Sequence, residues 1–477
     1  MSLNWESLLN SSRRKTKSGE KNSSVSTSFG RAELERDFDR ILFCTPTRRL
    51  ADKTQVFPLD TNDSVRTRLT HSYEVSNLAR GIGNRLVFEL KDAVFGEMAA
   101  RPGLERDIPS LLAAIGLAHD LGNPPFGHKG EVAIQEWFGK NKTHFLNEGE
   151  EDDRFNDFLK FDGNSQTFRL VTRLQILNDS FGINLTYATL AALIKYPQGS
   201  SHNNPTWKKH GFFSSEQEIV NEIWAETGLC DGRRHPLTYL MEACDDIAYS
   251  VLDAEDIVKK GLASFYDLIG SLQEEYKKSN KEDDKTKLLG NVIELSLEKN
   301  EEFKSQNISP TELNDISMQM FRVYSISFLV EAVVNEFKKS PLGFTGKDLM
   351  SHSDGALLCS VLKDFDYKLG YRHKSVLKLE LQGYNYIHKL MDMLWIGIHG
   401  ALSAPHEDRF RSQTPFGKYV YGRISENYRR IFEDKGNTLP IWYKEAQLLT
   451  DAISGMTDTY LISLHNELSD LIGNEAC

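Results

Sequence analysis

Residues 109–121, PSLLAAIGLAHDL, form an apolar run that stops on Gly122, Asn123, Pro124 and Pro125. Proline and serine open it and good helix formers fill it, so the run predicts a buried helix that ends at Gly122 and Pro124. His119 and Asp120 lie at the end of this run, and His128 and Glu131 follow just beyond the double proline. A helix core needs none of these four side chains. Upstream, in THSYEVSNLARGIGNRL, His71, Val75, Leu78, Ile82 and Leu86 recur at steps of three and four, which is one face of a helix. His71 therefore looks inward.

The same periodicity returns over 165–195, 236–260, 312–338, 374–400 and 440–470, and the Lys/Glu-rich stretch 273–308 reads as an exposed helix pair. Strand alternation is scarce. The expected fold is mainly α, a helical core with additional helical lobes and at most a short hairpin. No internal repeat or sharp linker appears, so boundaries are soft. We expect a flexible N-terminal lead-in over 1–30, a core over 31–265 and a helical C-terminal region over 266–477. Within the core, 141–164 carries the run EGEEDDRFNDFLKFD and reads as a solvated acidic insertion.

Composition excludes several classes. A chain of 477 residues with 40% hydrophobic and 26% charged residues can bury a core and is not of the disordered class. No apolar stretch approaches the roughly 18 residues of a membrane span. The N-terminal MSLNWESLLNSSRRKTKSGE lacks the apolar segment of a secretion signal, which makes the cytoplasm the expected location. Five scattered cysteines (Cys44, Cys230, Cys244, Cys359, Cys477) without CxxC spacing read as free thiols. A net charge of -11 disfavours a general nucleic-acid coat, so a phosphate ligand must be held by local cations or a metal.

His119 and Asp120 are neighbours in sequence and point about 100° apart, so they can share an ion only near the helix end. The free carbonyls of a helix C-terminus favour a cation there. Two ligands are too few. His71 is one further candidate, and Asp245 beside the core stripe of HPLTYLMEACDDIAYSVLDAEDIVKK is another. Asp245, Tyr249 and Asp253 follow at steps of four and form a row that could line a pocket. A lone buried histidine usually satisfies a core hydrogen bond. Four such groups on inward positions of three helices argue together for a metal. Imidazole with carboxylate suits Mn, Fe, Co or Zn and, with fewer nitrogens, Mg.

The pattern H…HD…D resembles the HD superfamily of metal-dependent phosphohydrolases. Longer blocks are similar to its deoxyguanosine triphosphate triphosphohydrolase branch. They are DFDRILFCTPTRRLADKTQVFP (37–58), RTRLTHSYEV (66–75), HDLGNPPFGHKGE (119–131), FDGNSQTFRLVTR (161–173), LAALIKYP (190–197), ACDDIAYSVLDAED (243–256), KLELQGY (378–384) and DAISGMTDTY (451–460), and they span nearly the whole chain. The resemblance implies that His71, His119, Asp120 and Asp245 ligate a divalent ion with open positions left over. It implies cleavage of a deoxynucleoside triphosphate, dGTP or several dNTPs, between the 5′ oxygen and the α-phosphorus to give deoxynucleoside and inorganic triphosphate. It gives His128, oriented by Glu131 three residues on, the proton-transfer role.

The resemblance also implies a substrate pocket. Arg68 would face the phosphates, and Lys195 and Tyr196 would contact phosphate and sugar. Tyr249 would fill the space of a 2′ hydroxyl, and Asp253 would accept from the 3′ hydroxyl. Asn164 and Glu380 match positions near the base or a neighbouring subunit. Ala51 stands where many members carry a glutamine associated with the 3′ hydroxyl, and alanine cannot make that bond. The family further implies a homo-oligomer, often a hexamer, with the C-terminal region completing pocket and oligomer contacts, and in some members a dNTP or single-stranded DNA effector. Two rival readings remain open. One is another nucleotide phosphohydrolase of the superfamily, which should lack the IKYP and ISGMTD blocks. The other is a nucleotide-sensing or DNA-binding regulator with little turnover, against which the intact His128 and Glu131 argue.

Overall fold

In the computed structural model, which describes residues 3–19, 30–59, 62–175, 179–202, 204–402 and 414–475, three helices make the centre of the molecule. They are α1 (Glu33–Phe43), α2 (Arg68–Phe88) and α3 (Leu104–Ala118). Helix α3 packs along α2 on one side and α1 on another. Its Leu104, Ile108, Leu111, Leu112, Ile115 and Leu117 are fully buried, which is why the run over 109–121 is apolar on every face. The helix starts a turn earlier than the sequence suggested, because Leu104 and Ile108 also belong to the core. Pro109 therefore sits inside it, where it removes one intrahelical hydrogen bond.

After His119 the chain turns through Asp120–Pro125 and enters α4 (Gly127–Lys140). Further on come α5 (Tyr187–Leu193) and α6 (Pro236–Ile247), the latter packed across α2 and α3. A π-helical turn, Ala248–Leu252, links α6 to α7 (Asp253–Lys259). The Lys/Glu-rich stretch forms α8 (Phe265–Lys278) and α9 (Asp284–Lys304), as the sequence suggested, and α9 packs on α10 (Pro310–Phe337). Then follow α11 (Ala356–Phe365), a second π-helical turn over Asp366–Tyr371, α12 (Lys374–Ile398), α13 (Ile441–Ser454) and α14 (Asp458–Glu475). Helix α12 carries the C-terminal helices onto α4, so the two halves of the chain meet beside the His119–His128 turn.

The fold is mainly α. Among the described residues there is no strand, only isolated bridges, so the short hairpin that the sequence allowed is not formed. No helix there is long and apolar enough to cross a membrane. Cys44, Cys230, Cys244 and Cys359 are free thiols, and Cys477 lies outside the described residues.

Two expectations need correction. Residues 3–19 are not a bare tether: Trp5, Leu8 and Leu9 are buried, Trp5 donates its indole N–H to the Val94 carbonyl (2.9 Å), and buried Arg13 pairs with Asp37 (2.6 Å). Apolar anchors among polar residues drive this docking; residues 20–29 lie outside the described ones. The insertion over 141–164 is solvated only in its first part. Phe155, Phe158 and Phe161 recur every three residues and are buried, and Asp157 accepts from Tyr443 Oη at 2.6 Å and Ser214 N at 2.7 Å. Charge density hid an aromatic face.

Candidate active site

His71 on α2, His119 at the end of α3 and Asp245 on α6 offer donor atoms that lie within 4.8 Å of one another. His71 Nε2 is 3.2 Å and His119 Nε2 is 3.5 Å from Asp245 Oδ1. Neighbouring ligands of one octahedral ion at about 2.1 Å are about 3 Å apart, so these separations fit a single metal. His119 Nδ1–H donates to the Gly116 carbonyl at 2.7 Å, one turn back along α3. That bond sets the tautomer and leaves buried Nε2 without a hydrogen-bond partner, facing the other donors. The chemistry and placement of the set suit a divalent ion.

Asp120 lies one step outside this group. Its Oδ2 is 3.5 Å from His119 Nε2 and is paired with Arg68 Nη1, and its Oδ1 accepts from Asn123 Nδ2 at 2.7 Å. Arg68 is fixed from behind by two hydrogen bonds to the Thr54 carbonyl, 3.2 and 2.9 Å. Lys195 Nζ stands 3.2 Å from Asp245 Oδ2. Burial alone would raise the pKa of both carboxyls. Lys195 and His119 overcome this and hold Asp245 well below its ordinary value, and Arg68 and His119 hold Asp120 down in the same way. Burial opposes the protonated form of His119, but Asp120 and Asp245 raise it to about 9.

Beyond the double proline, α4 begins at Gly127, and His128 Nδ1 is 2.8 Å from Glu131 Oε2. The hydrogen bond that His128 donates to Glu131 raises the His128 pKa. Glu131 is itself held, because Oε1 accepts from Gly163 N at 2.8 Å. Lys209 Nζ lies 3.7 Å from Glu131 and 2.8 Å from Asp162, whose Oδ1 in turn accepts from both the amide N (2.8 Å) and Nδ2 (2.7 Å) of Asn164. Arg68 connects the two groups, since it pairs with Asp120 and its Nη2 lies 2.9 Å from where a Cβ on Gly127 would stand.

The row Asp245–Tyr249–Asp253 runs across the π-helical turn, whose extra residue rotates Asp253 into the core, where it is fully buried. Tyr371 Oη donates to Asp253 Oδ2 at 2.5 Å, and its ring stacks on Tyr249 with centroids 5.7 Å apart. Glu380, partly buried on α12, lies 3.8 Å from Lys129 beside His128. A cleft of about 690 Å³ opens next to the metal group, lined by Lys195, Tyr196, Lys209, Arg234, Lys347 and Lys363 among others. Its cations suit a polyanion; three carboxylates also line it, Asp246 paired with Lys363 at 2.5 Å, Glu242 paired with Arg234, and Asp348, and they offset only part of the positive charge.

The HD domain family model matches residues 68–154, the stretch that holds His71, His119, Asp120, His128 and Glu131. Relatives match the rest. The chain is 36% identical over 485 residues to the deoxyguanosinetriphosphate triphosphohydrolase-like protein of Listeria monocytogenes, covering 98% of this chain and all of that protein. It is 32% identical over 476 residues to the deoxyguanosinetriphosphate triphosphohydrolase of Klebsiella pneumoniae, covering 90% and 92% of the two chains. The chain belongs to the deoxyguanosinetriphosphate triphosphohydrolase family. A Synechocystis member, 32% identical over 465 residues, is similar over 92% of this chain.

Membership makes this an enzyme chain built on an HD hydrolase domain. The structure adds residues that the sequence patterns do not single out: Lys209, in WKKHGFF, stands between Glu131 and Asp162, Tyr371 bonds Asp253, and Asp366 acts on Asp253 electrostatically. Lys53 is buried and donates to the carbonyls of Asn123 (2.6 Å) and Ser454 (2.8 Å). Burial, with Arg68 nearby, lowers its pKa to about 7. Ala51, two residues earlier, is exposed on the short turn Leu50–Asp52, which is anchored by buried Leu50.

Proposed function

We propose that this chain hydrolyses dGTP, and other dNTPs to a degree set by its own pocket, to the deoxynucleoside and inorganic triphosphate, with a divalent ion held by His71, His119, Asp120 and Asp245. The observation that carries the reading is the convergence of donors from α2, α3 and α6 on one point beside a cationic cleft. When bound, the ion supplies Lewis acidity to a phosphate oxygen. Mg, Mn, Co, Fe and Zn all suit this donor set, and metal analysis of the purified protein identifies which one it carries.

The chain's own residues do the rest. Arg68 and Lys195, already aimed at the carboxylates around the ion, hold the phosphate oxygens; Tyr196 and Lys209 flank them in the cleft. Water adds to the α-phosphorus and the bond to the 5′ oxygen breaks, so one proton must leave the water and one must reach the 5′ oxygen. His128 handles a proton at Nε2, because its Nδ1–H is committed to Glu131. Tyr249 packs against the 2′ position, Asp253 meets the 3′ hydroxyl, and Asn164 and Glu380 lie toward the base. Assembly as a homo-oligomer, a hexamer in keeping with family membership, and a dNTP or single-stranded DNA effector belong to the same reading.

The test is to incubate metal-loaded protein with each dNTP and NTP and separate the products by ion exchange. Triphosphate with deoxynucleoside is the expected result. Orthophosphate or pyrophosphate as the first product marks a different phosphohydrolase, and absence of turnover with tight dNTP binding marks a sensor. His128→Ala should lower turnover by about 10²–10⁴-fold with metal content unchanged.

A further inference from the structure

Two of the long sequence blocks, KLELQGY and DAISGMTDTY, reach the site without touching the metal group, and both act on Phe126. This residue and Gly127 adopt successive left-handed conformations, φ +60° and +55°, immediately before His128. A phenylalanine does not hold such a conformation without help from its surroundings. Two anchors supply that help. The Phe126 amide donates to Asp458 Oδ1 at 3.0 Å, across 332 residues of sequence. Its ring lies on Gly383 of α12, where a Cβ would come within 2.4–2.6 Å of three ring atoms.

The anchors connect to the other end of the site as well. Asp458 Oδ2 accepts from Thr54 N at 3.0 Å and from Thr54 Oγ1, and the Thr54 carbonyl is the group that fixes Arg68. Lys53 ties the Asn123 carbonyl to the Ser454 carbonyl in the same manner. By contrast His128 is free on most sides: its side chain is 78% exposed, and its hydrogen bond is to Glu131 on the same helix. The direction in which it points is therefore decided by how the backbone enters α4, that is, by residues 126 and 127.

We propose that Gly383 and Asp458 are positioning residues for His128: by holding Phe126 ring and amide, the C-terminal helices set the aim of the proton-transfer pair. The inference rests on the role given to His128 above. It assigns a task in turnover to two segments, 257 and 332 residues beyond Phe126, that a purely local view of the HD domain would leave as packing.

Gly383→Ala tests it, because the added methyl must displace the Phe126 ring while touching no group of the site. Expected is a fall in kcat for dGTP of about 10- to 100-fold with the KM and the bound metal content nearly unchanged. Combining it with Phe126→Leu, which frees the space, should restore most of the lost kcat. In a His128→Ala background the same Gly383→Ala change should cost almost nothing further, since the residue being aimed is gone. Asp458→Asn carries the same cycle should Gly383→Ala not fold: three donors converge on that carboxylate, so an amide meets a donor with its own NH₂ whichever way it turns. Equal losses with and without His128, or a fall in metal content parallel to kcat, overturns the positioning role. Undiminished activity of His128→Ala overturns instead the assignment on which it rests.

Discussion

Asp245 and Asp253 sit on either side of one π-helical turn, and their surroundings push their carboxyl pKa values in opposite directions. Burial acts against ionisation at both. At Asp245 it is overcome by Lys195, His119 and His71, and the carboxyl stays far below its usual pKa. At Asp253 burial, reinforced by Asp256 and Asp245, outweighs the hydroxyl of Tyr371 and the charge of Arg66 and pushes the carboxyl well above its usual pKa. Asp366, buried with no hydrogen bond to either oxygen, is raised likewise by burial and by Asp253. One helical stretch thus carries an end where the anion is favoured, in keeping with the metal and phosphate proposed there, and an end where the neutral acid is favoured, in keeping with the proposed sugar contact. The π-helical turn makes this possible, because its extra residue takes the second carboxyl away from the cations of the first.

The same substitution at the two positions breaks or sharpens this contrast most directly. Asp245→Asn removes the charge of a proposed metal ligand, and on that proposal turnover and metal content should collapse together, kcat/KM falling on the order of 10³-fold or more. Asp253→Asn replaces a neutral acid by a neutral amide of the same shape. The hydrogen bond from Tyr371 can persist, and the KM should change by no more than about fivefold with metal content intact. Steady-state kinetics and metal analysis on both variants decide it. Equal collapse of the two means that Asp253 is ionised in the working enzyme and that the two ends do not differ.

How much of this could be read from the chain follows the same division. The ionised end was legible because its groups interrupt local patterns: His71 sits on an apolar stripe, His119 and Asp120 end an apolar run, and Asp245 flanks one. Their convergence on three helices was read from periodicity and from the family blocks together. The neutral end was half legible. Tyr249 and Asp253 follow Asp245 in sequence, but the rotation introduced at Ala248–Leu252 comes from packing and carries no residue signature. Tyr371 lies 118 residues beyond Asp253, on the same π-helical turn as Asp366, so no local pattern around Asp253 announces either. The buried aromatics behind the acidic run were missed for the opposite reason, a strong local signal that masked a weaker one.

A smaller effect separates the His128 group from both ends. His128 is raised by its hydrogen bond and ion pair with Glu131, against the nearby charges of Lys209 and Arg68. Glu131→Gln keeps the size and one acceptor but removes the charge. The His128 pKa should then fall toward its ordinary 6.5, so the limb of the pH–rate profile that it governs moves to lower pH, with kcat down about tenfold. The same limb should be absent in His128→Ala. A limb that stays in place in Glu131→Gln shows that Glu131 does not set the charge state of this histidine.

The smallest effect tests the neutral end without asking about catalysis. A carboxyl whose pKa is raised in the folded state binds its proton there while the unfolded chain has already released it. Its contribution is therefore harmless below the unfolded value near 3.8, and it erodes stability progressively as the pH climbs toward the folded value. Asp366→Asn removes that titration while keeping shape and neutrality. The variant should match the parent in mild acid and melt about 2 °C higher by pH 8, an advantage that widens steadily with pH. Calorimetry across that range reads the slope directly. A variant that is less stable at every pH would mean that Asp366 is ionised and paired in the fold, and the neutral half of the contrast would then fail at one of its two buried members.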